Sequence, residues 1–279
     1  MVERHIIDAV SHPAVRETLK ADIFNIRAWE EAILFAIERM ARGGTEQQAA
    51  SGTAIIAAFE VDPILAAEII FRATDDVWKK IASTIQDNVR LWHTPEEVDR
   101  ALRFMLTSGR PEFLDEVWPL ITCDNQRIIS DALGNCVRFR PSILGKDAEK
   151  KIQALPIRAR VALLYEIASS SGMDGLDLAC AIAKTDPDPG VQVSVVDAFA
   201  FRRADRHVAE VLRNASAATF DLVVRNTLLE EVKDEEVQKG LAAARARLAS
   251  GDPWGHARLS TIVQAQGKED FSRTDRHYQ

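Results

Sequence analysis

The stretch TDPDPGVQVSVVDAFAFRRADRHVAEVLRNAS, from Thr185 to Ser216, has the pattern of two helices joined by an arginine-rich corner. An Asp-Pro turn opens the first helix, whose apolar residues recur every three or four positions. The segment FRRADRH (201–207) interrupts this period, which resumes in HVAEVL (207–212). The pattern predicts a helical hairpin that buries one face of each helix.

This hairpin has counterparts on both sides of it in the C-terminal half of the chain. The first helices of three successive pairs are predicted to begin roughly thirty residues apart, near Pro156, near Gly190 and after Ser216. Their partner helices are predicted to begin near Met173, near Asp205 and after Asp234. A single hairpin cannot bury both of its faces, whereas stacked hairpins can. The spacing therefore predicts an all-α fold of the α-solenoid type, a superhelix of helical hairpins.

The apolar period is helical in the rest of the chain as well, and no lasting strand-like alternation occurs. We therefore predict roughly fifteen helices, well above the usual helical share. Three tryptophans lie on helical stripes and are predicted to be in the core: Trp29, Trp78 and Trp92. Two segments resemble capping boxes, Thr94 with Glu97 and Thr45 with Gln48, and each predicts a helix that begins there.

The segment DPDPGVQVSVVDAFAFRRADRHVAEVL (186–212) resembles a HEAT-like repeat of the short, bilin-lyase-type kind. Gln192 departs from the family pattern, in which an arginine makes a ladder of polar contacts. The resemblance is clearest over residues 156–250, and it implies an α-solenoid while leaving the activity open. The residues that match the repeat are Asp186, Asp188, Val191, Val195 and Ala198.

A second, looser match to the same family is PIRARVALLYEIA (156–168), with Arg158 and Arg160 near the family's arginine position. From the resemblance and the helix pattern we predict three regions. Residues 1–110 form an N-terminal helical region continuous with the solenoid, and residues 111–264 form the HEAT-like repeat region. Residues 265–279 form a polar tail, which is either a frayed terminus or a docking segment anchored by Phe271 and Tyr278.

Composition limits the classes of partner and the compartment. The chain has 279 residues and a formal net charge of −7, which argues against nucleic acid because phosphate binding needs a basic surface. No apolar run approaches the length of about 18 residues that a membrane span requires. Cys123, Cys136 and Cys180 are too few and too widely spaced for a disulfide framework or a zinc site. We therefore predict reduced thiols in a soluble, cytoplasmic protein.

No residue pattern predicts a catalytic, cofactor-binding or metal-binding site. A glycine-rich phosphate loop and a G-x-S-x-G elbow are both absent from the sequence. The six histidines lack metal-ligand spacing and are expected at the surface or at helix caps. The chain is therefore predicted not to be an enzyme and to carry no cofactor.

The alternative is a HEAT-like enzyme or enzyme accessory. It would resemble either a DNA alkyl-base glycosylase, with Trp118, Asp115 and Glu116 at the base, or a lyase that services a prosthetic group.

The leading prediction is a protein-interaction scaffold or adaptor. The second helices of the hairpins are expected to present both signs of charge, which suits a protein or peptide partner better than a polyanion. Reversing Arg206 and Arg213 to glutamate is expected to weaken partner binding and to leave thermal stability nearly unchanged. The residues predicted to bind the partner are Arg202, Arg203, Arg206, Glu210, Arg213, Glu236, Lys239 and Arg247.

Overall fold

A computed structural model of the chain describes residues 2–123, 125–134, 139–226, 229 and 232–251. Throughout these residues the regular structure is helical and no strand occurs, so the all-α prediction is confirmed. None of the helices found there is both long and apolar enough to span a lipid bilayer. The predicted tail at 265–279, together with Cys136, lies outside the described residues.

The chain divides into two compact units, the first covering Met1–Leu178 and the second beginning at Ala179. The division falls inside α12 (Met173–Ala183). The predicted boundary after residue 110 rests on repeat character and stays a prediction. The helices of the first unit that precede α12 are α1 (Val2–Ser11), α2 (Pro13–Leu19), α3 (Glu30–Ala41), α4 (Thr45–Val61), α5 (Pro63–Arg72), α6 (Asp75–Trp92), α7 (Arg100–Ser108), α8 (Leu114–Ile121), α9 (Gln126–Leu133), α10 (Ala148–Gln153) and α11 (Ile157–Ser170).

The helices of the second unit that follow α12 are α13 (Pro189–Phe201), α14 (Asp205–Leu212), α15 (Ala217–Asn226) and α16 (Glu235–Gly251). Shorter helical turns occur in the first unit: a π-helical turn at Lys20–Phe24, and 3-10 turns at Arg27–Trp29, Pro111–Phe113 and Pro141–Leu144. The six helix starts predicted between residues 156 and 235 agree with the structure to within about one residue, since boundaries are defined only to that precision.

Both predicted capping boxes are wrong in position. Residues 93–99 form a loop in which Glu96 has a left-handed backbone (φ 68°), and α7 begins only after Asp99. The Asp99 carboxylate accepts a hydrogen bond from the backbone N–H of Leu102 at 2.7 Å, so Asp99 is the cap instead of Thr94. At α4 the box lies one residue earlier than predicted, because the side chain of Gln47 accepts a hydrogen bond from the backbone N–H of Gly44.

A recurring side-chain contact fixes the entry into many of these helices. In the described part of the chain, the fourth residue of six helices carries a long polar side chain that turns back to the segment before the helix. Its N–H group donates to a backbone carbonyl five to seven residues earlier, at 2.6–3.3 Å. These contacts satisfy carbonyls of the preceding segment that the helix itself cannot reach. The six residues are Arg16, Gln48, Lys151, Arg160, Gln192 and Gln238.

A chain of aromatic rings runs through the core of the first unit. Phe104 is fully buried and contacts Phe59 edge-on at 5.4 Å and Phe113 edge-on at 6.1 Å, measured between ring centroids. Trp78 continues the chain beyond Phe113 and is buried, as predicted. Trp92, at the opposite end beside Phe59, reaches the surface.

The core prediction is wrong for Trp29 and Trp92, which are each 45% exposed. Trp92 is the last residue of α6 and Trp29 precedes α3, so both stripes extend past the part of the helix that is covered by neighbours. An apolar period identifies the face of a helix but not the point along its axis where packing stops.

In the second unit the helices pack in the order expected of hairpins. α13 packs against both α14 and α15, and α15 packs against α16. This order supports the repeat pattern, while the solenoid as a whole stays a prediction. The residues predicted to face inward are buried, with the exception of the half-exposed Leu248: Val195, Phe199, Val208, Val211, Leu212, Val237 and Leu241.

A buried polar contact joins the first helices of the two hairpins. The Oε1 atom of Gln192 on α13 accepts a hydrogen bond from the hydroxyl of Thr219 on α15 at 2.6 Å. Its Nε2 atom donates to the backbone carbonyl of Asp186 at 3.1 Å. Gln192 is therefore one of the six back-bonding residues and also a bridge between repeats.

Candidate functional site

The predicted partner-binding residues fall into three groups in the second unit. Arg202, Arg203 and Arg206 lie at the corner between α13 and α14, and all three are exposed. Glu210 lies one turn further along α14. Arg213 follows that helix, and the remaining residues lie on α16: Glu236, Lys239 and Arg247.

Two of the predicted binding residues are fixed by ion pairs within the chain. Arg213 donates through Nε and Nη2 to the Asp234 carboxylate at 3.1 and 2.9 Å. Arg247 donates in the same manner to Asp221 at 3.1 and 2.7 Å. Asp234 also caps α16, and the backbone N–H of Val237, with further help from Arg213, lowers the pKa of its carboxyl. These arginines stabilise the packing of their own unit.

The acidic members of the predicted set also have partners within the chain. Glu210 accepts a hydrogen bond from the Cys180 thiol at 3.3 Å, and this bond, with the nearby positive charge of Arg206, lowers the pKa of the Glu210 carboxyl. Glu236 pairs with Lys239 on the exposed side of α16 at 2.8 Å. The corner arginines are all exposed, and Arg206 lies 3.7 Å from Glu210.

The corner carries a feature that sequence reasoning missed. Phe201, the last residue of α13, is 83% exposed and stands next to the three corner arginines, here called the Phe201 corner (Phe201, Arg202, Arg203 and Arg206). A phenylalanine held in water forfeits the free energy that burial of its ring would supply. Its position at the end of an apolar helix, beside a charged segment, is the sequence signal that could have identified it.

The backbone explains why the Phe201 corner projects from the unit. Arg203 has a left-handed backbone (φ 55°), the N–H of Ala204 donates to the carbonyl of Phe199 at 2.8 Å, and the N–H of Arg203 donates to Ala200 at 3.0 Å. These two bonds define a Schellman ending, in which the left-handed position is usually glycine. Gly109 takes that conformation at the end of α7. An arginine at this position carries a conformational cost that the fold alone does not require.

The first unit contains a second candidate site, made of two adjoining cavities. The first has a volume of about 470 Å³ and is mainly apolar, with Phe59 and Trp92 stacked at 4.9 Å and an interplanar angle of 7°. The second has a volume of about 560 Å³ and is lined by charged residues, including Arg103. Val61 and Arg100 line both cavities. We call the combined space the Trp92–Arg100 cleft.

A cluster of hydrogen bonds to Asp99 holds the loop between Trp92 and Arg100. The Asp99 carboxylate accepts hydrogen bonds from the backbone N–H of Thr94 at 2.8 Å and from Nδ1 of His93 at 3.0 Å, in addition to its cap on α7. Burial alone would raise the pKa of the Asp99 carboxyl, but the bonds from Leu102, Thr94 and His93 together lower it. The charged carboxylate therefore organises one wall of the cleft.

His93 is the C-cap of α6, in agreement with the expectation of surface or cap positions, whereas His207 departs from that expectation. The side chain of His93 is 6% exposed against Asp99. His207, on α14, is also 6% exposed, and its ring lies 5.3 Å from that of Phe199. Within the residues that the structure describes, no group of three or more histidine, cysteine, aspartate or glutamate side chains is placed to hold a metal ion.

The residues proposed for a glycosylase-like site have other contacts. Glu116 accepts a hydrogen bond from Nε of Arg90 at 2.6 Å, which fixes it as an ion-pair partner. Trp118 is half-buried and Asp115 is exposed. The glycosylase-like and lyase-like alternatives stay predictions.

Comparison of the chain with protein-family models, with curated protein sequences and with solved structures gives no significant match. The candidate sites are therefore interpreted from their own geometry.

Proposed function

We propose that the chain is a non-catalytic protein-interaction adaptor that binds an acidic partner through the Phe201 corner. The observation that carries the proposal is Phe201, which is 83% exposed among exposed arginines. Aromatic residues and arginine are enriched where protein interfaces bind most tightly. An acidic surface with an apolar pocket complements this group in both charge and shape.

The left-handed backbone of Arg203 gives independent support. A glycine would satisfy the Schellman ending without strain, yet the position holds a long cation that points away from the core. Residues kept in costly conformations are concentrated at sites of binding and regulation. Partner binding gives a reason for arginine at a position where stability favours glycine.

The test is site-specific photo-crosslinking in the native host, with a photoreactive phenylalanine analogue placed at position 201. The same analogue at position 35 is the matched control, because Phe35 is also an exposed phenylalanine (64%) but belongs to the first unit. We expect a discrete crosslinked protein from position 201 that is missing from position 35. Binding of the purified crosslinked protein should weaken in Phe201→Ala and in Arg203→Gly, and it should also weaken as salt screens the arginines.

The result that contradicts the proposal is equal crosslinking at the two positions, or unchanged affinity in both variants. If the affinity does not change with salt concentration, the proposal that the partner is acidic is wrong. Melting curves of both variants show whether any loss of affinity comes from unfolding.

A further inference from the structure

Four carboxylates and three arginines line the Trp92–Arg100 cleft, and three of the carboxylates have partners within the chain. Of the carboxylates that line its second cavity, Asp62 accepts two backbone N–H groups at the start of α5, at 2.9 and 3.3 Å. Glu68 is 3% exposed and bonds to Arg140 at 3.1 Å. Both carboxylates are thus committed to the fold, and Glu60 in the first cavity pairs with Lys20, which leaves Glu30 as the remaining acidic group in the lining of the cleft.

Two of the three arginines of the cleft, Arg27 and Arg100, are less committed. Among the described residues, neither Arg27 nor Arg100 has a carboxylate within ion-pair distance, although both line the second cavity. Arg100 and Arg103 are three residues apart on α7, so their side chains leave the helix on the same side. An anion in this cavity would supply the negatively charged partner that Arg100 lacks among the described residues. A guanidinium group can also bind two oxygens of one carboxylate or phosphate.

The first cavity supplies an aromatic surface beside this charge. The Trp92 ring is 45% exposed and stacks on Phe59, which is itself 6% exposed and anchored in the core. The stacked pair is therefore a rigid wall with one ring available to a ligand. Each cavity lies within the range of about 300–1,000 Å³ that is typical of small-molecule sites.

We propose that the Trp92–Arg100 cleft binds a small molecule that has an apolar, flat body and one anionic group. The apolar body packs against Trp92 in the first cavity. The anionic group, a carboxylate or a phosphate, bonds to Arg100 at the junction and faces the second cavity. This site is separate from the Phe201 corner, and neither proposal depends on the other.

The test uses isothermal titration calorimetry of the full chain with three probes that share one aromatic body. These are 2-naphthoate, 2-naphthyl phosphate and the neutral isostere 2-naphthamide. We expect at least one anionic probe to bind at least about tenfold more tightly than the amide, because hydrogen bonds to charged groups contribute that much. The tighter of the two anions identifies the natural anionic group as a carboxylate or a phosphate.

Two variant pairs locate the site. Arg100→Gln should remove the preference for the anion, while Lys80→Gln, at an exposed position of α6 outside the cleft, should retain it. Trp92→Ala should weaken all three probes by about tenfold or more, as expected for loss of a stacked aromatic wall. Trp29→Ala is its matched control, since Trp29 is equally exposed (45%) and does not line either cavity.

Equal affinity for naphthoate, naphthyl phosphate and naphthamide would overturn the proposal, and so would absence of binding at millimolar concentration. An equal effect of Trp29→Ala and Trp92→Ala would also overturn it. If the three probes do not bind but an acidic peptide with an aromatic residue does, the ligand of the cleft is a protein segment and the small-molecule proposal is wrong.

Discussion

Phe199 and Phe201 are separated by one residue on α13 and differ completely in environment: Phe199 is 0% exposed and Phe201 is 83% exposed. The Phe199 ring is enclosed beside His207, with ring centroids 5.3 Å apart. Two residues correspond to a rotation of about 200° around a helix, so the two rings leave α13 on nearly opposite sides. Phe199 therefore contributes to the folded core, and Phe201, within the same helical turn, is available for binding.

Truncation of the two rings should therefore change the free energy of unfolding by very different amounts. Phe199→Ala is expected to lower the free energy of unfolding by about 3–5 kcal/mol, because it removes a fully enclosed ring and leaves a cavity. Phe201→Ala should change it by less than about 0.5 kcal/mol, as is usual for an exposed position. Urea unfolding of both variants measures the difference. Similar losses in the two variants would show that Phe201 is covered in solution.

Arg203→Gly should stabilise the protein. Glycine adopts the left-handed backbone of the Schellman ending freely, so the substitution should raise the free energy of unfolding by up to about 1 kcal/mol. Thermal and urea unfolding are the measurements, and Arg202→Gly is the control, because Arg202 has an ordinary backbone (φ −86°) and glycine there should destabilise. A loss of stability in Arg203→Gly would contradict the role assigned to this position.

Gln192→Ala should be costly although it removes only a polar side chain. The substitution removes the buried hydrogen bonds of Gln192 to the Thr219 hydroxyl and to the carbonyl of Asp186, and we expect a loss of about 1–3 kcal/mol. Gln238→Ala is the matched control, because Gln238 makes the same backbone contact without a second helix, and its loss should be smaller. A double-mutant cycle with Thr219→Val measures the coupling; additive effects would show that the bridge between α13 and α15 contributes nothing.

Charge reversal should distinguish two arginines that the sequence placed in one group. Arg213→Glu breaks the bidentate pair with Asp234 and sets two carboxylates against each other at the cap of α16, so the melting temperature should fall. Arg206→Glu should leave it nearly unchanged, since the Arg206 side chain is 85% exposed and lies 3.7 Å from Glu210. The expectation that the double reversal is neutral for stability is thereby revised. Melting temperatures equal to that of the unsubstituted protein in both single variants would restore it.

The Asp99 cluster should make stability depend on acid pH. The folded state lowers the Asp99 pKa below its ordinary value of 3.8, so its contribution is present above that pH and is lost as the pH falls below it. Asp99→Asn should destabilise at neutral pH by about 1 kcal/mol, as for loss of a helix cap, and the difference from wild type should shrink in acid. Asp76→Asn is the control, because the Asp76 side chain is 73% exposed. A difference that is constant with pH would contradict the assignment.

Helix starts in the second unit could be predicted from the sequence because each signal is local. Asp188 followed by Pro189 combines a cap with a first-turn proline, and the structure has both in those roles. The prediction failed at Thr94 because a nearby competitor was stronger: Asp99, five residues further on, accepts hydrogen bonds from His93, Thr94 and Leu102. Both residues are favourable cap types, and a capping pattern does not say which of two such residues begins the helix.

The Trp92–Arg100 cleft was beyond the reach of sequence patterns for a related reason. Its walls come from residues near 24–30, 56–68 and 84–107, which meet only when α4, α5, α6 and α7 are packed. Hydrophobic periodicity and composition predict the helix to which each residue belongs. The space between helices depends on how much of each apolar stripe is covered by neighbouring helices. Trp29 and Trp92, which are both exposed near helix ends, show that hydrophobic periodicity alone mispredicts burial at helix termini.

The back-bonding residues have a consequence for how chains with this architecture diverge. In each of the six helices the donor side chain is specified, as arginine, lysine or glutamine, while the acceptor is a main-chain carbonyl that every amino acid possesses. The residues of the preceding segments can therefore be substituted during evolution without loss of this hydrogen bond. We therefore expect distant relatives of this chain to differ at nearly every residue of these segments. We expect them to keep a long polar donor at the fourth position of the helices that follow.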